Sequence, residues 1–184
     1  NPFLLEKHEP PFSGAGVLIS HDQGRSWERD SSVFGYSGIM DLSIHPRRAS
    51  VCIAATGNGV FITEDSGNHW KPVEDLPKDG TVRAIAHGPG EGNIIVAGSD
   101  REGFFYSSDG GDSWQSSTQV LPSPRTISDI IFNPQHPNHV YAADYFQGIY
   151  YSLDKGISWN HLSTKPEYFP ATALCLSMDG TTLY

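Results

Sequence analysis

Ser107-Ser108-Asp109-Gly110-Gly111-Asp112-Ser113-Trp114 decides the fold, because the pattern it carries occurs four times in the chain. The other copies are Ser20-His21-Asp22-Gln23-Gly24-Arg25-Ser26-Trp27, Thr63-Glu64-Asp65-Ser66-Gly67-Asn68-His69-Trp70 and Ser152-Leu153-Asp154-Lys155-Gly156-Ile157-Ser158-Trp159. All 4 tryptophans lie in this motif, at 27, 70, 114 and 159, intervals of 43, 44 and 45 residues. The visible departure is His69, where the other copies carry Ser before Trp. A period of this length marks a supersecondary unit that buries its apolar face only against neighbours of its own kind.

Working outward, each copy follows a short strand of one form: Gly16 to Ser20, Gly59 to Thr63, Gly103 to Ser107 and Gly148 to Ser152. Three consecutive bulky residues leave little polar alternation, so both faces of this strand should be covered. Upstream lie Val51 to Ala55, Ile94 to Ala97 and Val140 to Ala143, preceded by Ile39 to Ile44, Val82 to His87 and Ile127 to Phe132. One repeat therefore reads as strands A, B, C and D, with Trp opening D. Four strands in one such period predict an all-β fold, a β-propeller of four-stranded antiparallel blades. No 3.6-residue apolar period appears, which excludes helical solenoids.

The expected layout is one propeller over 1–184. It has a half blade at 16–27, blades at 37–70, 81–114 and 125–159, and an incomplete blade at 171–184. The chain opens on a C–D pair and stops inside a strand at Tyr184. The reading is a piece of a larger ring, with a four-blade ring or half of an assembled ring as alternatives. Open blade faces would favour self-association that completes the ring.

The motif S/T-x-D-x-G-x-x-W resembles the Asp box, or BNR repeat, and the resemblance covers nearly the whole chain. Families with this box include sialidases, xyloglucan-active endoglucanases, sortilin-type receptors and photosystem II assembly factors. The stretch Asn133-Pro134-Gln135-His136-Pro137-Asn138-His139-Val140-Tyr141-Ala142-Ala143 looks most like the endoglucanase and sortilin-type branch. That resemblance implies a secreted or periplasmic protein.

Four Asp at one spacing invite a catalytic or metal reading, but the physics favours a structural one. An Asp heading a tight turn accepts hydrogen bonds from its own backbone, and Gly two positions on supplies φ > 0. The Ser or Thr is expected to satisfy the other carboxylate oxygen, and Trp to wedge between blades. Asp22, Gly24, Trp27, Asp65, Gly67, Trp70, Asp109, Gly111, Trp114, Asp154, Gly156 and Trp159 are therefore read as structural, since identical copies on every blade cannot all line one site. Asp109-Gly110-Gly111-Asp112 lacks the remaining ligands and terminal Glu of a calcium loop. His45, His87, His136 and His139 have no zinc-ligand spacing backed by Cys. No metal and no cofactor is expected.

The formal charge is −9, from 21 acidic and 12 basic residues. This argues against nucleic acid, which needs a basic surface, and against an anionic membrane. It suits neutral sugars or basic protein patches. No segment has the apolar length of a membrane span, and residues 1–16 lack a signal-peptide layout. The 2 cysteines, Cys52 and Cys175, each sit in an apolar run and read as small buried hydrophobes. A disulfide between them stays open, because two Cys make no framework.

Topology says where a site would lie. The Asp-box turns share one end of each blade with the A–B turns, so the B–C and D–A loops occupy the other. The B–C loops are Thr56 to Asn58, Ser99 to Glu102 and Asp144 to Gln147. The D–A loops run Glu28 to Ser37, Lys71 to Thr81, Gln115 to Arg125 and Asn160 to Pro170. Phe34, Tyr36, Tyr145, Phe146, Tyr168 and Phe169 offer rings for stacking on sugars or packing a partner protein, or else cap the blade tops.

Two functions compete. The first is a recognition or scaffold module binding a glycan or protein through this face, with Arg101, Tyr145, Phe146, Arg83 and Arg125 as ligand-contact candidates. The second is a glycoside hydrolase, which needs paired carboxylates about 5–10 Å apart; Asp100, Glu102 and Asp144 are the available candidates. A sialidase would need an arginine triad and an Arg-Ile-Pro motif, and no Arg-Ile-Pro occurs. Arg83 is expected to pair with Asp79 or Asp41.

Overall fold

In the computed structural model the described residues are 16–30, 38–76, 81–118, 125–162 and 170–184. They form fourteen strands and no helix. The first two, β1 (Val17–Ile19) and β2 (Glu28–Asp30), make an antiparallel hairpin. Three four-stranded antiparallel sheets follow, each a meander in chain order. The first blade is β3 (Ile39–Ile44), β4 (Cys52–Thr56), β5 (Gly59–Thr63) and β6 (Lys71–Pro72). The second is β7 (Val82–His87), β8 (Ile95–Ser99), β9 (Phe104–Ser107) and β10 (Gln115–Ser116). The third is β11 (Ile127–Phe132), β12 (Val140–Asp144), β13 (Gly148–Ser152) and β14 (Asn160–Leu162).

The A strands have the expected limits, whereas B strands run one or two residues further and D strands begin one residue after Trp. D is short because its outer side is a sheet edge facing water, where long flat strands invite mispairing. Ala173 to Ser177 and Thr182 to Tyr184 meet only in an isolated bridge, Leu176 to Leu183. Each A strand also carries a bulge, shifting register between Ile39 and Asp41, Val82 and Ala84, and Ile127 and Asp129. A bulge bends its strand and re-aims side chains.

The core lies between sheets. Ile53, Ala55 and Val60 of the first blade pack with Val82, Ile85, Ile95, Phe105 and Trp114 of the second. Ala84, Val96 and Phe104 of the second pack with Ile127, Ile130, Tyr150 and Trp159 of the third. Trp114 and Trp159 thus each close their own turn while packing on the preceding blade. Trp159 stacks on Phe104, ring centroids 3.8 Å apart at 16°. Asp41 reaches across to accept the Ile85 amide at 2.8 Å, and Asp129 accepts the Leu174 amide at 2.6 Å. Both carboxylates therefore staple one A strand to the next.

The first hairpin differs. Leu18 and Trp27 are exposed there, as are Leu42 and Ile44 on β3, and among the described residues the hairpin has only two strands. Coverage of both strand faces holds for β5 and β9 but not for β1. The expectation of two buried cysteines is corrected: Cys52 is half-buried, while Cys175 is exposed, and both are free thiols. The short bridge of Leu176 to Leu183 leaves that segment without a sheet to bury it.

Candidate functional site

The four Asp-box turns share one hydrogen-bond design. Ser20, Thr63, Ser107 and Ser152 each donate to Oδ1 of the Asp two positions on, at 2.7–2.9 Å. The same hydroxyl accepts the amide of the turn Gly. Oδ1 also accepts the amide four residues on, while Oδ2 takes that residue's side chain. The expectation that Ser or Thr satisfies the second oxygen is thereby corrected, since the residue before Trp does so. His69 substitutes Nδ1 for the hydroxyl, 2.6 Å from Asp65 Oδ2. The residue before each Gly is also left-handed: Gln23, Ser66 and Lys155 lie at φ 63–65° and Gly110 at 82°.

These carboxylates are consumed by the turn. Hydrogen bonds from Ser26, His69 and Ser113 hold Asp22, Asp65 and Asp109 down at about 2. Burial pushes Asp154 upward, but the Ser158 hydroxyl and amide outweigh it and its pKa is lowered too. None is presented as a general acid or base. Among the described residues no group of three His, Cys, Asp or Glu could hold a metal ion.

The opposite ends of the blades carry the B–C turns. In all three blades the last residue of strand B caps its own turn with a side-chain oxygen. Thr56 Oγ1 accepts the Asn58 amide, and Ser99 Oγ accepts those of Arg101 and Glu102. Asp144 Oδ1 accepts those of Phe146 and Gln147 at 2.8 and 3.2 Å, and that of Thr126 at 3.3 Å. Asp144 is therefore not presented to the rim: it is fully buried, and its Oδ2 has no hydrogen-bond partner among the described residues. Burial raises its pKa against the pull of these amides and of Arg125.

Asp100 is also engaged. Its Oδ1 accepts the Thr81 amide at 3.0 Å, and its Oδ2 lies 3.4 Å from Arg83 Nε. Arg83 thus pairs with Asp100 rather than with Asp41, whose carboxylate is committed to the Leu42 and Ile85 amides. The bulge in β7 explains the difference: Arg83 is the residue skipped by the ladder, so it turns toward the B–C end of its own sheet. Asp79, the other expected partner, lies outside the described residues, as do Phe34, Tyr36, Tyr168 and Phe169 with the D–A segments 31–37, 77–80, 119–124 and 163–169.

Glu102 and Arg101 are exposed, and Arg125 is half-buried. Tyr145 and Phe146 are 46% and 51% exposed and meet edge to face, centroids 5.2 Å apart at 81°. Between the first and second blades the same end holds a groove of about 550 Å³, floored by Val60 and Phe61 and rimmed by Asn58, Glu74, Asp100 and Arg101. Asn58 and Glu74 fall within the B–C and D–A loops expected on this face but are not among the residues singled out there as ligand contacts. The B–C loop around Asn58 is legible as rim, but only the blade contact makes it one wall of a groove.

Four-stranded meander blades, each with an Asp-box turn between its third and fourth strands, and Trp70, Trp114 and Trp159 packed on the sheet before, define a β-propeller of the Asp-box class. A family model described as Sortilin, neurotensin receptor 3 (Sortilin-Vps10) matches residues 15–115 and 58–171, and the chain belongs to that family. A xyloglucanase of Hypocrea jecorina is 29% identical over 105 residues, which cover 55% of this chain and 12% of that protein. An ancestral GH74 enzyme superposes with a TM-score of 0.81 at 22% identity, over 94% of this chain and 24% of its own. The GH74 enzyme of Niastella koreensis gives 0.75 at 18%, over 92% and 29%. YCF48 bound to a D1 peptide gives 0.60 at 20%, over 78% and 46%. The chain thus spans a minor part of each relative, and no helix among its described residues is long and apolar enough to cross a membrane.

Proposed function

We propose that this chain is a recognition module that binds a neutral polysaccharide through its B–C face without hydrolysing it. The observation that carries the reading is the Tyr145–Phe146 pair, half-exposed on a turn whose backbone is pinned by three amides to Asp144. Aromatic faces held this way cost solvent exposure of apolar surface and supply stacking area at little entropic cost on binding. The groove beside Asn58, Glu74, Asp100 and Arg101 adds hydroxyl-matching donors and acceptors on the same end. The charge of −9 is compatible with an uncharged ligand. Secretion or a periplasmic location accords with the family and belongs to the same proposal.

The alternative is hydrolysis, favoured by the likeness to the xyloglucanase. A glycosidase needs two carboxyl groups facing the scissile bond. Asp144 is buried and Asp100 is paired, which leaves Glu102 as the exposed carboxylate among the three candidates. Calorimetric titration with xyloglucan oligosaccharides, with reducing ends measured on the same samples, separates the readings. Binding without new reducing ends, lost on Tyr145→Ala/Phe146→Ala, supports recognition. Release of reducing ends, abolished by Glu102→Gln, supports hydrolysis. Binding only to peptides such as the YCF48 ligand class would move the module to protein partners.

A further inference from the structure

One inter-blade seam is built differently from the others. The A–B turns begin at equivalent residues, His45, Gly88, Asn133 and Ser177, each of whose amides bonds back across its turn to Val51, Ile94, His139 and Thr182. In the second and third blades the residue before the turn, His87 and Phe132, reaches the preceding blade. Between the second and third blades Phe132 lies against Gly88, where a Cβ would come within 3.2 Å of its ring. After the third blade Asn133 caps its own turn through Oδ1 and donates its side-chain amide to Gly180 O. Between the first and second blades the corresponding residues are His45 and His87, ring centroids 5.6 Å apart.

His45 is almost fully buried, and both its ring nitrogens face donors. Nδ1 accepts the Arg47 and Arg48 amides, each at 3.1 Å, and Arg48 Nε lies 3.2 Å from Nε2. A neutral imidazole carries one ring proton, so with Nδ1 accepting two amides that proton sits on Nε2 and turns toward Arg48 Nε. His87 donates its amide to Ser43 Oγ of the first blade at 2.9 Å, with Nδ1 3.1 Å from the same oxygen. The other charges here are Arg48 and the exposed Arg47–Glu91 ion pair, which joins the two A–B turns. From β11 the Phe132 ring reaches Gly88, an uncharged contact.

We propose that the His45–His87 seam is an acid-sensitive latch: protonation of His87 loosens the first blade from the second while leaving the second joined to the third. Burial, reinforced by His45 and Arg48, lowers His87 to about 4. The sign follows from linkage. A histidine with a depressed folded value favours the unpaired state as pH falls from its ordinary value toward the folded one, so the seam weakens in that window. The same two blades flank the groove at their far ends, so acid would alter that groove. This consequence rests on the B–C reading above; the latch itself does not.

Hydrogen exchange on the 184-residue chain, without ligand, tests the latch. Exchange is compared at pH about 7.5 and about 5, corrected for intrinsic rates. Peptides covering 82–87 should lose protection at least about tenfold in acid, those covering 127–132 less than about twofold. His45→Asn/His87→Leu, which removes both imidazoles and puts at 45 the residue that caps the equivalent turn at Asn133, should abolish the difference. His87→Leu alone gives the same reading if the double variant does not fold. Equal protection at both pH values, loss shared equally by both peptide sets, or an unaltered acid response in the variants would each overturn the latch. None of these outcomes depends on a sugar, so failure here is distinguishable from failure of the recognition reading.

Discussion

Truncating the same motif residue in different copies separates inter-blade packing from turn formation. Trp159 is 1% exposed, stacks on Phe104 at 3.8 Å and donates its indole N–H to Gly156 O at 3.1 Å. Trp27 makes the same N–H bond to Gly24 O at 3.2 Å but is 59% exposed. A buried aromatic of this size removes roughly 150–250 Å² from water, about 4–6 kcal/mol at ~25 cal/mol per Å². Truncations of buried Trp or Phe to Ala cost about 3–5 kcal/mol, and that range applies to Trp159→Ala. Trp27→Ala loses an exposed hydrogen bond and part of its contact area, about 1 kcal/mol. Urea unfolding followed by far-UV circular dichroism reads both, since slopes of ~1–3 kcal/mol per M turn the difference into a midpoint gap of about 1–3 M. Equal losses for the two variants would refute the claim that Trp acts by wedging on the preceding blade, and would assign the whole effect to the turn.

The carboxyl groups of Asp22, Asp65 and Asp109 should titrate by NMR near 2; the stability they lend is full above their ordinary value of 3.8 and is lost as pH falls from there toward 2. Midpoints at or above 3.8 would remove the turn hydrogen bonds from the account. Asp144→Asn keeps the acceptor for the Phe146 and Gln147 amides and deletes a buried charge, so it should raise the neutral-pH unfolding midpoint. Because Asp144 has a raised folded value, its penalty appears as pH rises through that value; a midpoint lowered at neutral pH would contradict this sign. Cys175 should react with iodoacetamide before Cys52, which burial pushes up to about 11; mass spectrometry showing Cys52 labelled first would reverse the burial assignment.

The period of Trp and the five-residue strand before each motif are visible without coordinates, because blade packing forces the same apolar positions to recur. The A-strand bulges are not legible: a bulge changes pairing without changing composition, so Met40, Arg83 and Ser128 look like ordinary strand residues. This is why Arg83 reads as a partner for Asp41 when its bulge brings it to Asp100. The capping role of Asp144 was available as a pattern. Thr56, Ser99 and Asp144 each end strand B with a short side chain that can accept a hydrogen bond, and only the acidity of the third suggests chemistry. The His45–His87 contact joins residues 42 positions apart in neighbouring repeats, and neither carries a motif.

The central claim, recognition through the B–C face, is tested most directly by chemical-shift mapping of the isotope-labelled chain with a xyloglucan oligosaccharide. The account predicts shifts at Gly57 to Gly59, Asp100 to Gly103 and Tyr145 to Gln147, with the Asp-box turns at Asp65, Asp109 and Asp154 unmoved. Shifts centred on those turns, or none at any B–C turn at saturating sugar, would contradict it.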